Sequence, residues 1–387
     1  MSTPRPTSPP LGAGLKRPLG EAGDVVDEPR PARSRCTEEQ RVVVVFAQAV
    51  RIVPALRAAL GGAWRVEPLP LEAAKTSDSA KLLAEACALV VPPTPAARSL
   101  VARARTPQLC LLQSMSAGIE FLDLAAVPQE VTVCNTSSMD NAIAEYVFCA
   151  VLQHQLSFRD MERDFRQQRT LLHPFGRGKT LHGELGGKVM GLIGFGHIGA
   201  QVARRAKAFD MDVRAIARRR RDPPPEGVGW MGTPADLPAL LRDSHFVVVC
   251  CPLEESTRGL VGAPELAQMR ADAVLINVAR GAIVDEDALF EALQRQRIRA
   301  AVLDVWWRNP SPEEPELTPY TRPFHELPNV TMTPHCSGWT HEQEDRKLAQ
   351  VAHNVREAAR ALAGAARVSF TQVVNDGALC HTHTPTH

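Results

Sequence analysis

The chain has 387 residues, more than one hydrophobic core ordinarily serves, so two folded units are expected. Apolar residues make up 44% and charged residues 22%, and the net charge is +1, which leaves no electrostatic reason to invoke nucleic acid or a membrane surface as a partner. No apolar run reaches membrane-crossing length, and the nine cysteines are scattered without CxxC spacing, which points to thiols of a reducing, cytoplasmic setting and to neither a disulfide framework nor a metal site.

In chain order, residues 1–40 are rich in Pro, Ser, Arg and Glu and are expected as a disordered tail. The first twenty residues lack acids, so a cleaved transit segment is the alternative; the prolines and Glu21, Asp24, Asp27 and Glu28 argue against an amphipathic one. The apolar run 41–46 opens the folded part as a buried strand. Periodicity then places helices over 52–60, 79–88 and 96–105, with strands over 89–91, 109–113 and 131–134. A long helix is expected over 141–168, and the loop 170–186 leads to the next strand. This alternation implies a parallel α/β sheet.

The stretch 188–217 organises the rest. An apolar strand over 189–193 runs into Gly194-Phe195-Gly196-His197-Ile198-Gly199, then a helical pattern, then a second strand over 211–217. GxGxxG means a dinucleotide site only in that context, and here the context is complete. Gly194 permits the tight turn, Gly196 lets the backbone approach a pyrophosphate, and Gly199 allows close helix–strand packing. The amides of His197 and Ile198, at the positive end of the helix, would face the phosphates. Further on, helices are expected over 234–242, 264–270, 285–296 and 342–363, and strands over 246–251, 273–278, 300–305 and 330–333. The tail 376–387, with His381, His383 and His387, offers no ordered geometry for a metal.

Three positions at strand ends carry candidate chemistry. Arg280 follows a buried strand, where a guanidinium either clamps a carboxylate through two parallel hydrogen bonds or pairs with a structural acid. His335 follows Thr333-Pro334 and is either a proton-transfer group or a hydrogen-bonded loop residue. Ala117-Gly118 exposes backbone amides to an anion.

Taken together, SAG (116–118), AE (144–145), GxGxxG (194–199), CPLEESTRGLV (251–261), LINVARGAIVDEDAL (275–289), LDVW (303–306) and TPH (333–335) resemble the D-isomer-specific 2-hydroxyacid dehydrogenase family from residue 41 onward. The resemblance implies two Rossmann-like, doubly wound parallel-sheet domains. A coenzyme domain at 145–334 would be inserted in a substrate domain made of 41–144 and 335–375. It implies a homodimer, with the long helix helping the contact. By position, Arg280 would bind the carboxylate and carbonyl oxygen of a 2-keto acid, and His335 would give or take the proton. The Ala117 and Gly118 amides would hold the carboxylate. Asp304 would orient the nicotinamide carboxamide, and Pro252 and Ala279 would line the cofactor. Glyoxylate and hydroxypyruvate are the substrates expected. Trp306 and Trp307 read as packing or pocket wall.

One departure stands out. Where the family places a Glu beside the His, this chain has Asn309; an amide can orient the ring but supplies no charge to raise its pKa. Glu313, Glu314 or Glu316 could take over from a shifted loop. The amide also resembles the formate dehydrogenase branch, which makes a formate-like dehydrogenase the second reading; a non-catalytic, dinucleotide-sensing corepressor-type protein is the third. Cofactor choice is read at the end of the second glycine-motif strand. Ala217 stands where an acid would select NAD, and Arg218, Arg219, Arg220 and Arg221 follow, so NADP(H) is favoured over NAD(H).

Overall fold

The computed structural model describes residues 42–45, 52–62, 64–70, 77–92, 108–119, 121–169, 182–310, 314, 316–362, 369–370 and 373–375. Both expected tails and the helix expected over 96–105 lie outside them.

Two sheets carry the chain. The first holds β1 (Val42–Val45), β2 (Arg65–Pro68), β3 (Ala86–Val91), β4 (Leu111–Ser114), β5 (Thr132–Cys134) and, from the far end of the chain, β13 (Val373–Asn375). Its order is β13-β5-β4-β3-β1-β2, parallel except for β13 against β5. The helices α1 (Ile52–Leu60) and α2 (Ser77–Glu85) fall in the expected regions, although α2 ends earlier and β3 begins at once after it.

The second sheet holds β6 (Val189–Ile193), β7 (Asp212–Ile216), β8 (Trp230–Gly232), β9 (Phe246–Val249), β10 (Val274–Asn277), β11 (Ala300–Leu303) and β12 (Val330–Met332). All its pairings are parallel, in the order β12-β11-β10-β9-β6-β7-β8. Strand order therefore reverses between β6 and β9, and a ligand crevice of a doubly wound sheet opens at such a point, outside the carboxyl ends of the strands.

Helices cover both faces of this sheet. On one side lie α3 (Asp140–Leu156) and α5 (His197–Ala208), sharing a core with Met190, Leu192, Phe246 and Val248. On the other lie α6 (Leu237–Asp243), α7 (Ala263–Leu266) and α8 (Glu286–Gln294), packed on Ile193, Val247 and Val249. Alternate residues of one strand thus feed opposite cores, the period-two geometry of a strand buried on both faces. The last helix, α9 (His341–Leu362), returns to the first sheet, where Val351, Val355 and Leu362 pack with Val53 and Leu56 of α1. The residue 144/145 boundary falls inside α3, whose residues from Ile143 to Val151 contribute to the core of the second sheet.

The single long helix expected over 141–168 is two helices. It breaks at Ser157, which sits in the left-handed region at φ 52 and ψ 38, and α4 (Phe158–Gln168) starts in a new direction. The strands β2, β8 and β13 are additions to the expected set, and α7 is shorter than the helix expected over 264–270.

Candidate active site

The glycine turn lies at the switch point, directly after β6. Gly194 has φ 105, and a Cβ there would fall 2.6 Å from the Cys251 amide nitrogen. Only glycine fits such a conformation at that approach. A Cβ on Gly199 would meet the Gly194 carbonyl at 2.9 Å, so helix α5 can pack this closely only without a side chain there. Gly196 differs. A Cβ on it would meet nothing within 4 Å, so space stands open over the N-terminus of α5, and Gly196 caps that helix with no side-chain hydrogen bond. First-turn amides and an open approach fit a pyrophosphate. His197 is exposed and Ile198 packs against the core beneath.

At the neighbouring strand end, Ala217 donates its amide to Gly232 at 3.1 Å. Arg218 pairs with Glu254 at 3.3 Å, and the Arg221 guanidinium lies 5.9 Å from the centroid of the Phe195 ring, inside the glycine turn. Arg219 is exposed. An acid does stand near these arginines: Glu254 lies not on β7 but on the loop after β9, where sequence distance hid it. Its pair with Arg218 is solvent-exposed, and such pairs contribute about 0–1 kcal/mol.

Parallel register brings the other candidates to the same edge, since Val249 aligns with Asn277, Asn277 with Leu303 and Leu303 with Met332. Beyond them follow exposed Pro252, buried Ala279, Arg280, Asp304 and His335. Arg280 and His335 therefore leave strands two positions apart, roughly 10 Å at ordinary strand spacing.

The Arg280 turn folds around Asn277, a fully buried amide. Its Oδ1 accepts the Ala279 amide at 3.1 Å and its Nδ2 donates to the Arg280 carbonyl at 3.0 Å. The Arg280 guanidinium donates to the Ala279 carbonyl at 2.7 Å. Gly281 then lets the turn press against β11's extension, because a Cβ there would lie 2.2 Å from the Trp306 carbonyl.

The His335 turn is organised by Asp304, also fully buried. Its carboxylate accepts the Thr333 hydroxyl at 2.6 Å and the amides of Cys336 at 2.8 Å and Ser337 at 3.0 Å. The Thr333 carbonyl accepts the His335 amide and the Trp306 indole N–H, each at 3.0 Å. His335 itself is exposed and has φ 57. A buried carboxylate with three donors is satisfied, where an unpaired one would not be tolerated.

One expected group stands apart from this edge. Ala117 and Gly118 follow β4 in the other sheet; Asn135 donates to the Ala117 carbonyl at 2.7 Å, and neither amide has an acceptor among the described residues. Asn309 is exposed, on the loop after β11, and makes no hydrogen bond among the described residues. Of the acids near it, Glu314 lies 4.0 Å from Arg308, Glu316 is exposed, and Glu313 is outside the described residues. Trp307 is packing, stacked on Phe324 at 5.2 Å. Asn277, Thr333 and Glu254 were not anticipated; the signal for Asn277 was a lone amide in an apolar strand.

Residues 148–337 match the family model described as D-isomer specific 2-hydroxyacid dehydrogenase, NAD binding domain. A glyoxylate reductase of Thermococcus litoralis is 32% identical over 258 residues, 64% of this chain and 73% of the relative. Among solved structures, an NADPH-dependent glyoxylate/hydroxypyruvate reductase from Sinorhizobium meliloti, in complex with NADP and sulfate, superposes with a TM-score of 0.69 at 25% identity, over 88% of this chain and 99% of that one. A D-isomer specific 2-hydroxyacid dehydrogenase from Xanthobacter autotrophicus, in complex with NADPH and MES, gives 0.67 at 29% identity over 86% and 98%. No described helix is long and apolar enough to cross a membrane.

Proposed function

Because this chain belongs to the D-isomer specific 2-hydroxyacid dehydrogenase family, a family of nicotinamide-dependent oxidoreductases, we propose that it reduces a small 2-keto acid of glyoxylate or hydroxypyruvate type, with NADPH preferred over NADH. The observation that carries this reading is the shared strand edge: the glycine turn, Arg280 and His335 all follow the carboxyl ends of strands in one parallel sheet. The nicotinamide, when bound, supplies the hydride in reduction and takes it in oxidation. Arg280 holds the substrate carboxylate and carbonyl oxygen, and it stabilises negative charge growing on that oxygen. His335 donates a proton to the same oxygen and accepts it back in the reverse direction. The Ala117 and Gly118 amides take the carboxylate from the other side of the cleft, and Asp304 and the Asn277-braced turn hold these groups in place.

The preference for NADPH is supported by Ala217, by Arg218 next to it in the chain, and by Arg221, which lies against the Phe195 ring of the glycine turn. The domain division at 144/145 and 334/335 is part of the same proposal, supported by the separate cores of the two sheets and by the return of α9. So is a homodimer, supported by the exposed Phe158, Met161 and Phe165 on one side of α4. A cytoplasmic setting agrees with the seven described cysteines, none of which is in a disulfide.

The test is a substrate panel. NADPH oxidation is followed with glyoxylate, hydroxypyruvate and larger 2-keto acids, then with NADH in place of NADPH, and formate is tried with NADP+ and NAD+. Turnover of a 2-keto acid with a lower KM for NADPH supports the proposal. Turnover of formate alone, or tight dinucleotide binding with no turnover of any panel member, contradicts it.

A further inference from the structure

Tyr146 stands on α3 next to Glu145, and its phenol reaches across to Thr333 at the end of β12, with 2.7 Å between the oxygens. The direction of this bond is set by the next one. Thr333 has a single hydroxyl proton, and it is committed to Asp304 Oδ1 at 2.6 Å. Tyr146 is therefore the donor and Thr333 the acceptor. Phenol, hydroxyl and carboxylate form a chain in which each donation strengthens the next.

The far end of that chain is the His335 turn. Asp304 also gathers the amides of Cys336 and Ser337, and the Thr333 carbonyl gathers those of His335 and, from its side chain, Trp306. Between these anchors His335 is held at φ 57, a region unfavourable for a residue with a Cβ. It persists only where the surroundings over-determine it. Burial first, and then the Asp304 charge, push the Tyr146 phenol up to about 12. The phenol thus remains a donor over any ordinary working pH.

We infer that Tyr146 is a positioning residue for the reaction: by donating to Thr333 it fixes the Thr333–Asp304 pair that holds the His335 turn. Because α3 packs against α5, the helix of the glycine turn, the phenol ties the proton-transfer side of the crevice to the layer beneath the dinucleotide turn. This rests on the reading of His335 as the proton-transfer group. Tyr146 touches neither substrate nor cofactor in this account and acts only through Thr333.

The experiment measures hydride transfer in a single turnover, as loss of NADPH fluorescence on mixing with glyoxylate, alongside the Kd for NADPH and the melting temperature. Tyr146→Phe should slow hydride transfer about tenfold, with the Kd for NADPH unchanged. Thr333→Ser, which keeps the hydroxyl, should stay near the parent rate, and Thr333→Val should lose at least as much as Tyr146→Phe. The double variant Tyr146→Phe/Thr333→Val should be no slower than Thr333→Val alone, since the phenol has no other route to the site. An unchanged rate in folded Tyr146→Phe, or losses that multiply in the double variant, overturns the inference. If Thr333→Val does not fold, the contrast between Tyr146→Phe and Thr333→Ser still decides. His335→Gln separates the two levels: should it transfer hydride like the parent protein, the reading of His335 falls and takes this inference with it. An inactive His335→Gln beside an unaffected Tyr146→Phe overturns the inference alone.

Discussion

At the end of β10 one amide, Asn277, occupies both faces of its hydrogen-bonding capacity with the Ala279 amide and the Arg280 carbonyl, and so bends the chain outward where the guanidinium is needed. Asp304 does the equivalent for His335 with a carboxylate and three donors. In both turns a buried polar side chain at a strand end replaces the ladder bonds that stop there. The residues expected to meet ligands were legible because few residue types perform that chemistry; the groups bracing them were not, since a lone Asn or Thr has many uses. Glu254 illustrates the same limit, because its partner Arg218 is near only in the fold. Replacing Glu254 by Gln removes a negative charge beside the arginines and frees Arg218. The KM for NADPH should then fall about two- to fivefold at low salt, with that for NADH little changed. Equal change for both cofactors would place Arg218 and Glu254 outside the phosphate site.

At the scale of elements, the glycine turn separates folding from binding. Gly194→Ala puts a Cβ 2.6 Å from the Cys251 amide at φ 105, so the melting temperature should drop, by an amount corresponding to about 1–3 kcal/mol. Gly196→Ala meets nothing within 4 Å, so the melting temperature without cofactor should hold while NADPH binding weakens at least tenfold. Unweakened binding in Gly196→Ala would mean that the phosphates lie elsewhere. The strand β6 is also pinned at its start, where the Val189 amide donates to His245 Nδ1 at 3.1 Å. Burial first, then Arg270 and Lys188, hold His245 below the ordinary histidine value, against the opposing pull of Asp272. Its neutral form is thus the one the fold favours. The stability it contributes is present above about pH 6.5 and is lost as pH falls through the lower folded value. Half-buried His154 adds to the same trend, by burial and by Arg299. Melting temperature should decline from pH 7 to pH 5, less steeply in His245→Asn, which keeps an acceptor that does not titrate; an equally steep decline would assign the effect to other groups. Sequence periodicity revealed the central strands and missed β2, β8 and β13. All three are sheet edges, where a strand has a neighbour on one side only, and each is only three or four residues long; β2 buries only Val66. The break at Ser157 was equally silent, because neither Gly nor Pro marks it.

Across the whole molecule, the chain leaves its first sheet after β5, builds a second one and returns to the first through α9. The joint is stitched by side chains from both directions. Gln343 donates to the Ser138 hydroxyl at 3.0 Å, Arg346 to the Ser138 carbonyl at 3.1 Å, and Asn354 of α9 to Gln113 of β4 at 2.7 Å. Parallel register does the rest, because equal alignment of β6, β9, β10, β11 and β12 delivers their following loops to one level. The alternating pattern and the glycine motif made this architecture readable from the chain; the side-chain stitches are long-range and were not. In the proposed function, Arg280 grips a 2-keto acid on the edge that also carries the dinucleotide turn. The most direct test is kcat/KM for glyoxylate with saturating NADPH in Arg280→Lys, which keeps the charge and loses the planar fork. A loss of about a hundredfold or more is expected, with NADPH binding intact. A value near that of the parent protein would contradict it.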